Sequence, residues 1–183
     1  AFARSIAEPV EQDARVVEVV LQQSRRIVKM ERGVLIAETH HGVVCASAGV
    51  DASNVPGGEF VTVLPKDPDS SARALRAALA EEVGGRLGVI VSDSFNRPWR
   101  EGSMNVAIGV SGLPPVRDMR GEEDDHGRVL KSTMVAVADE VASAAQLVMS
   151  ETGRHPVAVV RGLEFEASED SVAALLRDPA RDL

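Results

Sequence analysis

Apolar and polar positions alternate along this chain with two different periods, and the switches between them mark out its elements. Residues 9–24, PVEQDARVVEVVLQQS, place Val17, Val20 and Leu21 at helical spacing, with Pro9 suited to a first turn. The residues ahead of them already read as helix. RRIVKM and GVLIAETHHGVVCAS follow as strands, with Glu31-Arg32-Gly33 as a turn. ASNVPGG is a loop by composition, and FVTVLP a short strand. DPDSSARALRAALAEEVGGR is a helix: Asp69 or Ser70 caps its start, Leu75 and Leu79 lie four apart, and Gly84-Gly85 ends it.

The second half opens with LGVIVSD, a continuous apolar run of the kind buried on both faces, stopping at Ser92-Asp93. FNRPWREGS reads as a loop and NVAIGVSGL as a strand. PPVRDMRGEEDDHGR is polar and exposed. STMVAVADEVASAAQLVMSE is the longest predicted helix, apolar around most of its circumference, which asks for burial by the domain or by a partner chain. VAVVRGL reads as a strand, and SEDSVAALLRD as a final helix capped by Ser168 or Ser171. Helices and strands mix without strict alternation, so the expected architecture is α+β, or mixed α/β. There is no internal repeat or convincing linker, and 183 residues suit one domain.

Composition narrows the partners. Aromatics are only 3% of the chain, with no Tyr, so aliphatic packing carries the core and base stacking on aromatic platforms is not expected. A net charge of -8 opposes non-specific binding to nucleic acid or anionic membrane, yet a metal can mask the repulsion of an anionic substrate locally. No apolar run approaches the roughly 20 residues that span a bilayer. Cys45 is the single cysteine, so neither an internal disulfide nor a cysteine-rich zinc site is possible. The start, AFARSIAEP, is no signal peptide, and a cytoplasmic location is expected. It lacks Met and reads as the start of a shortened or processed chain.

Candidate chemistry gathers at two acids. Asp51 and Asp93 each follow an apolar strand, precede a small residue and open a loop in this reading. Such carboxylates suit Mg²⁺ or Mn²⁺, which take one or two of them together with phosphate oxygens; both are equally readable as turn formers. Arg97-Pro98-Trp99-Arg100 offers guanidinium forks for phosphate or carboxylate, or else a solvated rim with Trp99 as a core plug. Asp139 or Glu140, inside an apolar helix, needs a partner if buried, either functional or structural. Glu151 opposes the macrodipole at a helix C-terminus, a local conflict of the kind that marks functional sites. His40 and His41, as strand neighbours, would face opposite ways and so do not form a metal pair. The acidic run at 122–126 reads as a solvated loop. Neither a GxxxxGK[ST] nor a strand-borne GxGxxG phosphate loop occurs.

Taken in order, THHGVVCASAGVDASNV, LPKDPDSSARALR, VIVSDSFNRPWREGSMNVAIGVSGL and VADEVASAAQLVMSE with PVAVVRGL resemble the coenzyme F420-0:γ-glutamyl ligases, F420 being a deazaflavin coenzyme. The resemblance spans nearly the whole chain, and its AGVDASN and SDSFNRPWR blocks are long and specific. It implies a ligase-like α+β fold in an interlocked homodimer, formed by residues 1–183 as one ligase domain. It implies two divalent-cation sites (Mg²⁺ or Mn²⁺), held by Asp51, Asp93, Ser94 and Glu151. Asn54, Met149, Ser150, Thr152, Gly153 and Arg97 are the expected contacts to GTP, and potassium is a further candidate ion. No residue is expected to act as a nucleophile.

The implied reaction is GTP-dependent. The phospholactyl carboxylate of F420-0 becomes an acyl phosphate, which the amine of L-glutamate attacks; a second, γ-linked glutamate can follow. Three departures stand out. Asn96 and Ser150 occupy positions where the family usually has Gly. The family's N-terminal stretch, with a Leu-Pro loop and a Ser-Lys segment that contact GTP, is missing. The alternative is therefore a non-catalytic relative that binds nucleotide or deazaflavin.

Overall fold

The computed structural model describes residues 2–8, 11–31, 33–53, 55, 57–150 and 152–178. Helices and small antiparallel sheets mix along the chain, as an α+β fold should. Two compact units divide it: Ala1–Lys66 with Phe95–Gly102, and Asp67–Ser94 with Ser103–Leu183.

In the first unit, α1 (Phe2–Ala7) and α2 (Ala14–Gln23) pack beside a three-stranded antiparallel meander of β1 (Ser24–Glu31), β2 (Val34–Thr39) and β3 (Val44–Ala46). Helix α1 buries Ala3, Ile6 and Ala7, spaced three and four apart on one stripe. Val17 and Val20 of α2 are fully buried against Leu35 and Ala37 of the central strand. Asp13 caps α2 by accepting from the Arg15 N–H at 2.8 Å. Strand pairing puts Ile27 opposite Ala37 and Ala37 opposite Cys45.

The predicted single strand over GVLIAETHHGVVCAS is in fact two. Thr39 and Val43 close a turn around His40, His41 and Gly42, so the histidines are turn residues rather than strand neighbours. Their ring nitrogens instead meet main-chain oxygens, His40 that of Gln22 and His41 that of Lys66. FVTVLP likewise contributes only one bridge, Thr62 to Asp51.

The second unit is built around α3 (Pro68–Val83), α4 (Val137–Met149) and the larger part of the two-stranded sheet of β4 (Val89–Arg97) and β5 (Arg100–Ser111), whose Phe95–Gly102 stretch is counted with the first unit. Asp67, not Asp69 or Ser70, caps α3, accepting from the Ser70 N–H at 2.9 Å, and Pro68 follows it in the first turn. Gly84 ends the helix with φ 65, as read. Asp69 ties β5 and the C-terminal segment to α3: it accepts from Val110 N at 2.8 Å and from Ser171 Oγ at 2.7 Å. Ser171 caps a short 3-10 turn, Val172–Leu175, where a longer helix was expected. The core joins Ala107, Val110, Leu113 and Ala138, with Ile90 and Phe165 against them.

Helix α4 is shorter than expected and shorter than α3, because Met134–Val135 form β7, paired with β6 (Arg117–Asp118). Its residues 139, 143 and 146 share one face and serve the main chain of β5. Asp139 Oδ1 accepts from Ala107 N at 2.8 Å, Ser143 Oγ donates to Asn105 O at 2.8 Å, and Gln146 Oε1 accepts from Asn105 N at 2.7 Å. These side chains satisfy strand groups that would otherwise be costly to bury.

Asp139 thus has the partner its position demanded. Burial still pushes its carboxyl up, against the lowering by the Ala107 N–H. A carboxyl raised on folding stabilises fully below its unfolded value and loses that contribution as pH rises through the folded value. Asp139→Asn, which keeps the acceptor, is therefore expected to flatten this acid-side decline and to match wild type at pH 7. Asp139→Ala, which orphans the Ala107 N–H, is expected to lose about 1–3 kcal/mol. Urea melts across pH check both.

Candidate functional site

The chain leading to Asp51 turns left-handed. Ser47, Ala48 and Gly49 have φ 50, 51 and 70 in succession, closed by a bond from Val50 N to Ser47 O at 2.9 Å. Left-handed backbone costs about 1–2 kcal/mol for each non-glycine residue. Only small side chains stand here, and a Cβ on Gly49 would come within 2.6 Å of Leu64. This explains why an apolar strand gives way to Ser-Ala-Gly just before the acid.

Asp51 itself is anchored on both sides. Its N–H donates to Thr62 O at 3.1 Å and its carbonyl accepts from Thr62 N at 2.8 Å. Its carboxylate accepts from Ser53 N at 2.7 Å and from the Ser53 hydroxyl. The Ser53 hydroxyl first, and its N–H second, hold this carboxyl below its ordinary range. The result is an exposed, ionised, oriented carboxylate with lone pairs left over. Asn54, three residues on, lies outside the described residues.

Asp93 is not at a strand end. Strand β4 runs on through it to Arg97, so SDSFNR is strand and Pro98-Trp99 is the tip of a β4–β5 hairpin. Asp93 and Ser94, as strand neighbours, address opposite faces. The Ser94 hydroxyl donates to Asn105 Oδ1 at 3.0 Å. Asn105 was not singled out from the sequence, yet it is buried and bonded throughout. Besides Ser94 and the two α4 side chains, its Nδ2 donates to Ser92 Oγ at 3.4 Å. It is the residue that orients the Ser94 hydroxyl. Nothing in the local pattern marks it, because its partners come from β4 and α4.

Arg97 directs Nη2 to the carbonyls of Glu101 at 2.9 Å and Gly102 at 3.5 Å, bracing the hairpin. Trp99 is no core plug: its relative exposure is 101%, with φ 55.

Past α4 the backbone is again unusual. Ser150 has φ 59 and Arg154 φ 55, and Gly153 packs so closely that a Cβ would meet His155 Nδ1 at 3.0 Å and Met149 O at 3.2 Å. Thr152 N donates to Ser150 Oγ at 3.4 Å. Among the expected nucleotide contacts, Thr152 and Gly153 thus lie close to Ser150 and Met149, and Glu151 lies outside the described residues. Among the described residues six other than glycine have positive φ, and five of them (Ser47, Ala48, Trp99, Ser150, Arg154) fall in the blocks that carry the resemblance or beside them. Strain of this kind concentrates at functional sites.

Taken singly, the Asp51 carboxylate in the first unit and the Asp93 carboxylate and Ser94 hydroxyl in the second are oxygen donors of the type that hard divalent cations take. Among the described residues no three His, Cys, Asp or Glu side chains form a cluster. Asp51 and Asp93 belong to different units. Among these residues no helix is long and apolar enough to cross a membrane.

The family model described as F420-0:Gamma-glutamyl ligase matches residues 1–162. A Methanopyrus kandleri protein named coenzyme F420:L-glutamate ligase is 48% identical over 187 aligned residues, which cover 100% of this chain and 74% of that protein. Proteins of the same name from Methanothermobacter thermautotrophicus and Methanocaldococcus jannaschii are 44% and 42% identical. Each alignment covers 99% of this chain, and 73% and 72% of those proteins.

Proposed function

This chain belongs to the F420-0:γ-glutamyl ligase family, and from that premise we propose that it joins L-glutamate to the phospholactyl carboxylate of coenzyme F420-0 at the expense of GTP. The observation that carries this reading is the setting of Asp51, an ionised carboxylate fixed by Ser53 and Thr62 behind a left-handed turn.

In the proposed reaction a carboxylate oxygen of F420-0 attacks the γ-phosphorus of GTP, and GDP leaves. The glutamate amine then attacks the acyl phosphate carbon; phosphate leaves, the amine loses a proton and an amide remains. Asp51, Asp93, Ser94 and Glu151 would hold divalent cations, which when bound neutralise phosphate charge and draw two anions together. The residues themselves position rather than react. Ser53 keeps Asp51 ionised, Asn105 holds the Ser94 hydroxyl, and Met149, Ser150, Thr152 and Gly153 would lie against the nucleotide. This carboxyl activation needs no protein nucleophile.

A homodimer belongs to the same proposal. Leu147, Val148, Val157 and Val159 are 87%, 67%, 77% and 76% exposed, and the strand-like VAVVRGL carries no strand among the described residues. A second copy would cover this apolar surface.

The test is mass spectrometry of a mixture of this chain with F420-0, L-glutamate, GTP and Mn²⁺. The expected product is F420-0 heavier by one glutamyl residue, formed only when GTP and metal are both present. Light scattering of the same sample is expected to give the mass of two chains. GTP and deazaflavin binding without product would replace the ligase with the binding-protein alternative.

A further inference from the structure

We propose that the tip of the β4–β5 hairpin, Arg97-Pro98-Trp99-Arg100, is the element that recognises the deazaflavin substrate, stacking its ring on Trp99 and pairing its phosphodiester with Arg100. The inference rests on the ligase reading above for the identity of the ligand, but its observations are separate.

Trp99 is the only Trp in a chain that has no Tyr and four Phe. It stands fully in solvent at the second position of a two-residue turn. Pro first and positive φ second is the pattern of a type II turn, where glycine ordinarily takes the second place. Trp gives up glycine's freedom at φ 55 and buries none of its own surface, so its place is explained neither by the turn nor by the core. An indole held open on a braced tip is a stacking platform for a flat heterocycle.

The charge around it selects the same ligand. In a chain of net charge -8, two guanidiniums bracket the Trp, with Glu101 the one acid of the tip. Arg97 is committed to the carbonyls of Glu101 and Gly102, which rigidifies the turn, and its buried Nε has no hydrogen-bond partner. No hydrogen bond or ion pair engages the exposed Arg100 side chain among the described residues. It is thus the group suited to a phosphodiester. A ring with a phosphodiester tail matches both features at once, whereas glutamate matches only the charge.

The test uses the single Trp. This chain is titrated with F420-0, with the deazaflavin lacking the phospholactyl tail and with GTP, reading Trp emission and, independently, equilibrium dialysis. F420-0 is expected to quench Trp99. Trp99→Ala is expected to weaken F420-0 binding roughly tenfold or more, with Trp99→Phe recovering most of it and GTP binding unchanged. Arg100→Ala is expected to weaken F420-0 but not the tailless deazaflavin, which lacks the phosphodiester. Circular dichroism confirms that each variant is folded.

Wild-type affinity in Trp99→Ala overturns the proposal, as does failure of wild type to bind F420-0. So does Trp emission that follows protein concentration and ignores ligand, which would put the tip in a contact between copies. Ligation with an indifferent Trp99 removes this inference and keeps the ligase. Binding through Trp99 without ligation keeps the inference and removes the ligase.

Discussion

Asp51→Asn is expected to lower kcat/KM for the proposed glutamate ligation by about a thousandfold, equivalent to roughly 4 kcal/mol of transition-state stabilisation, with the melting temperature staying within about 3 °C of wild type. The asymmetry follows from the geometry. Asp51 is exposed, and Asn keeps an oxygen to accept from Ser53 N, so little folding energy is at stake. What is lost is the charge, on the carboxylate whose backbone is best defined by its surroundings. Mn²⁺ affinity, read by calorimetry, should fall together with activity. Full activity in the variant would remove Asp51 from the site.

The pH behaviour gives a second reading. Ser53 holds the Asp51 carboxyl low, so its contribution to stability is full above the unfolded carboxylate value and is lost as pH falls through the lowered folded one. That acid-side loss should be absent from Asp51→Asn.

Much of this architecture was legible where a signal is local. Gly84 ends α3 as read, because a helix terminus is specified by its neighbours in sequence. The Asp-x-Ser spacing at Asp51 and Ser53 was equally open to reading, since a carboxylate two residues ahead of an N–H closes a local turn. What escaped was set by pairing. Composition made FNRPWREGS a loop, yet Phe95–Arg97 and Arg100–Ser103 are strand because each has the other across the hairpin. The same blindness put Asp93 at a strand end and left a core place open for Trp99. β4 was read as buried on both faces, but its one partner strand leaves Val89–Asp93 half-buried. VAVVRGL shows the converse: an apolar β pattern forms no strand without a neighbour to pair with.

The candidate site divides in the same way. The family blocks pointed to Asp51, Asp93, Ser94 and the turn after α4, because specific short motifs survive in one sequence. The residues that hold them, Asn105 and Thr62, each lie 11 positions further along the chain and are chemically ordinary. Each is recognisable only from what it touches. Asp69 is a similar case. It was one of two candidate helix caps with Ser70, a common local role, and turns out to tie Val110 and Ser171 to α3.

Those ties make Gly109 a position with a large expected effect on stability. It lies in β5 between Ile108 and Val110, both buried, and the start of α3 sits directly on it. A Cβ there would meet the Pro68 carbonyl carbon and oxygen at 2.4 Å and Pro68 Cβ at 2.7 Å. These are backbone and ring atoms, and they cannot swing aside. Pro68 is fixed by its own ring, by the Asp67 cap before it and by Asp69 after it, which grips Val110 N at 2.8 Å. Relief requires lifting α3 off β5, which opens the Asp69 bonds as well. Gly109→Ala should therefore cost about 3 kcal/mol or more, and lower the melting temperature by roughly 10 °C. Gly58→Ala is the control: its φ is 67 but open space surrounds it, so only the backbone strain of about 1 kcal/mol applies. Urea melts of both variants check the difference. A Gly109→Ala midpoint equal to wild type would mean that α3 is not seated on β5. A large loss, with weakened Mn²⁺ binding at temperatures where the variant is still folded, would show the strain travelling along β5 to Asn105 and the Ser94 hydroxyl it holds.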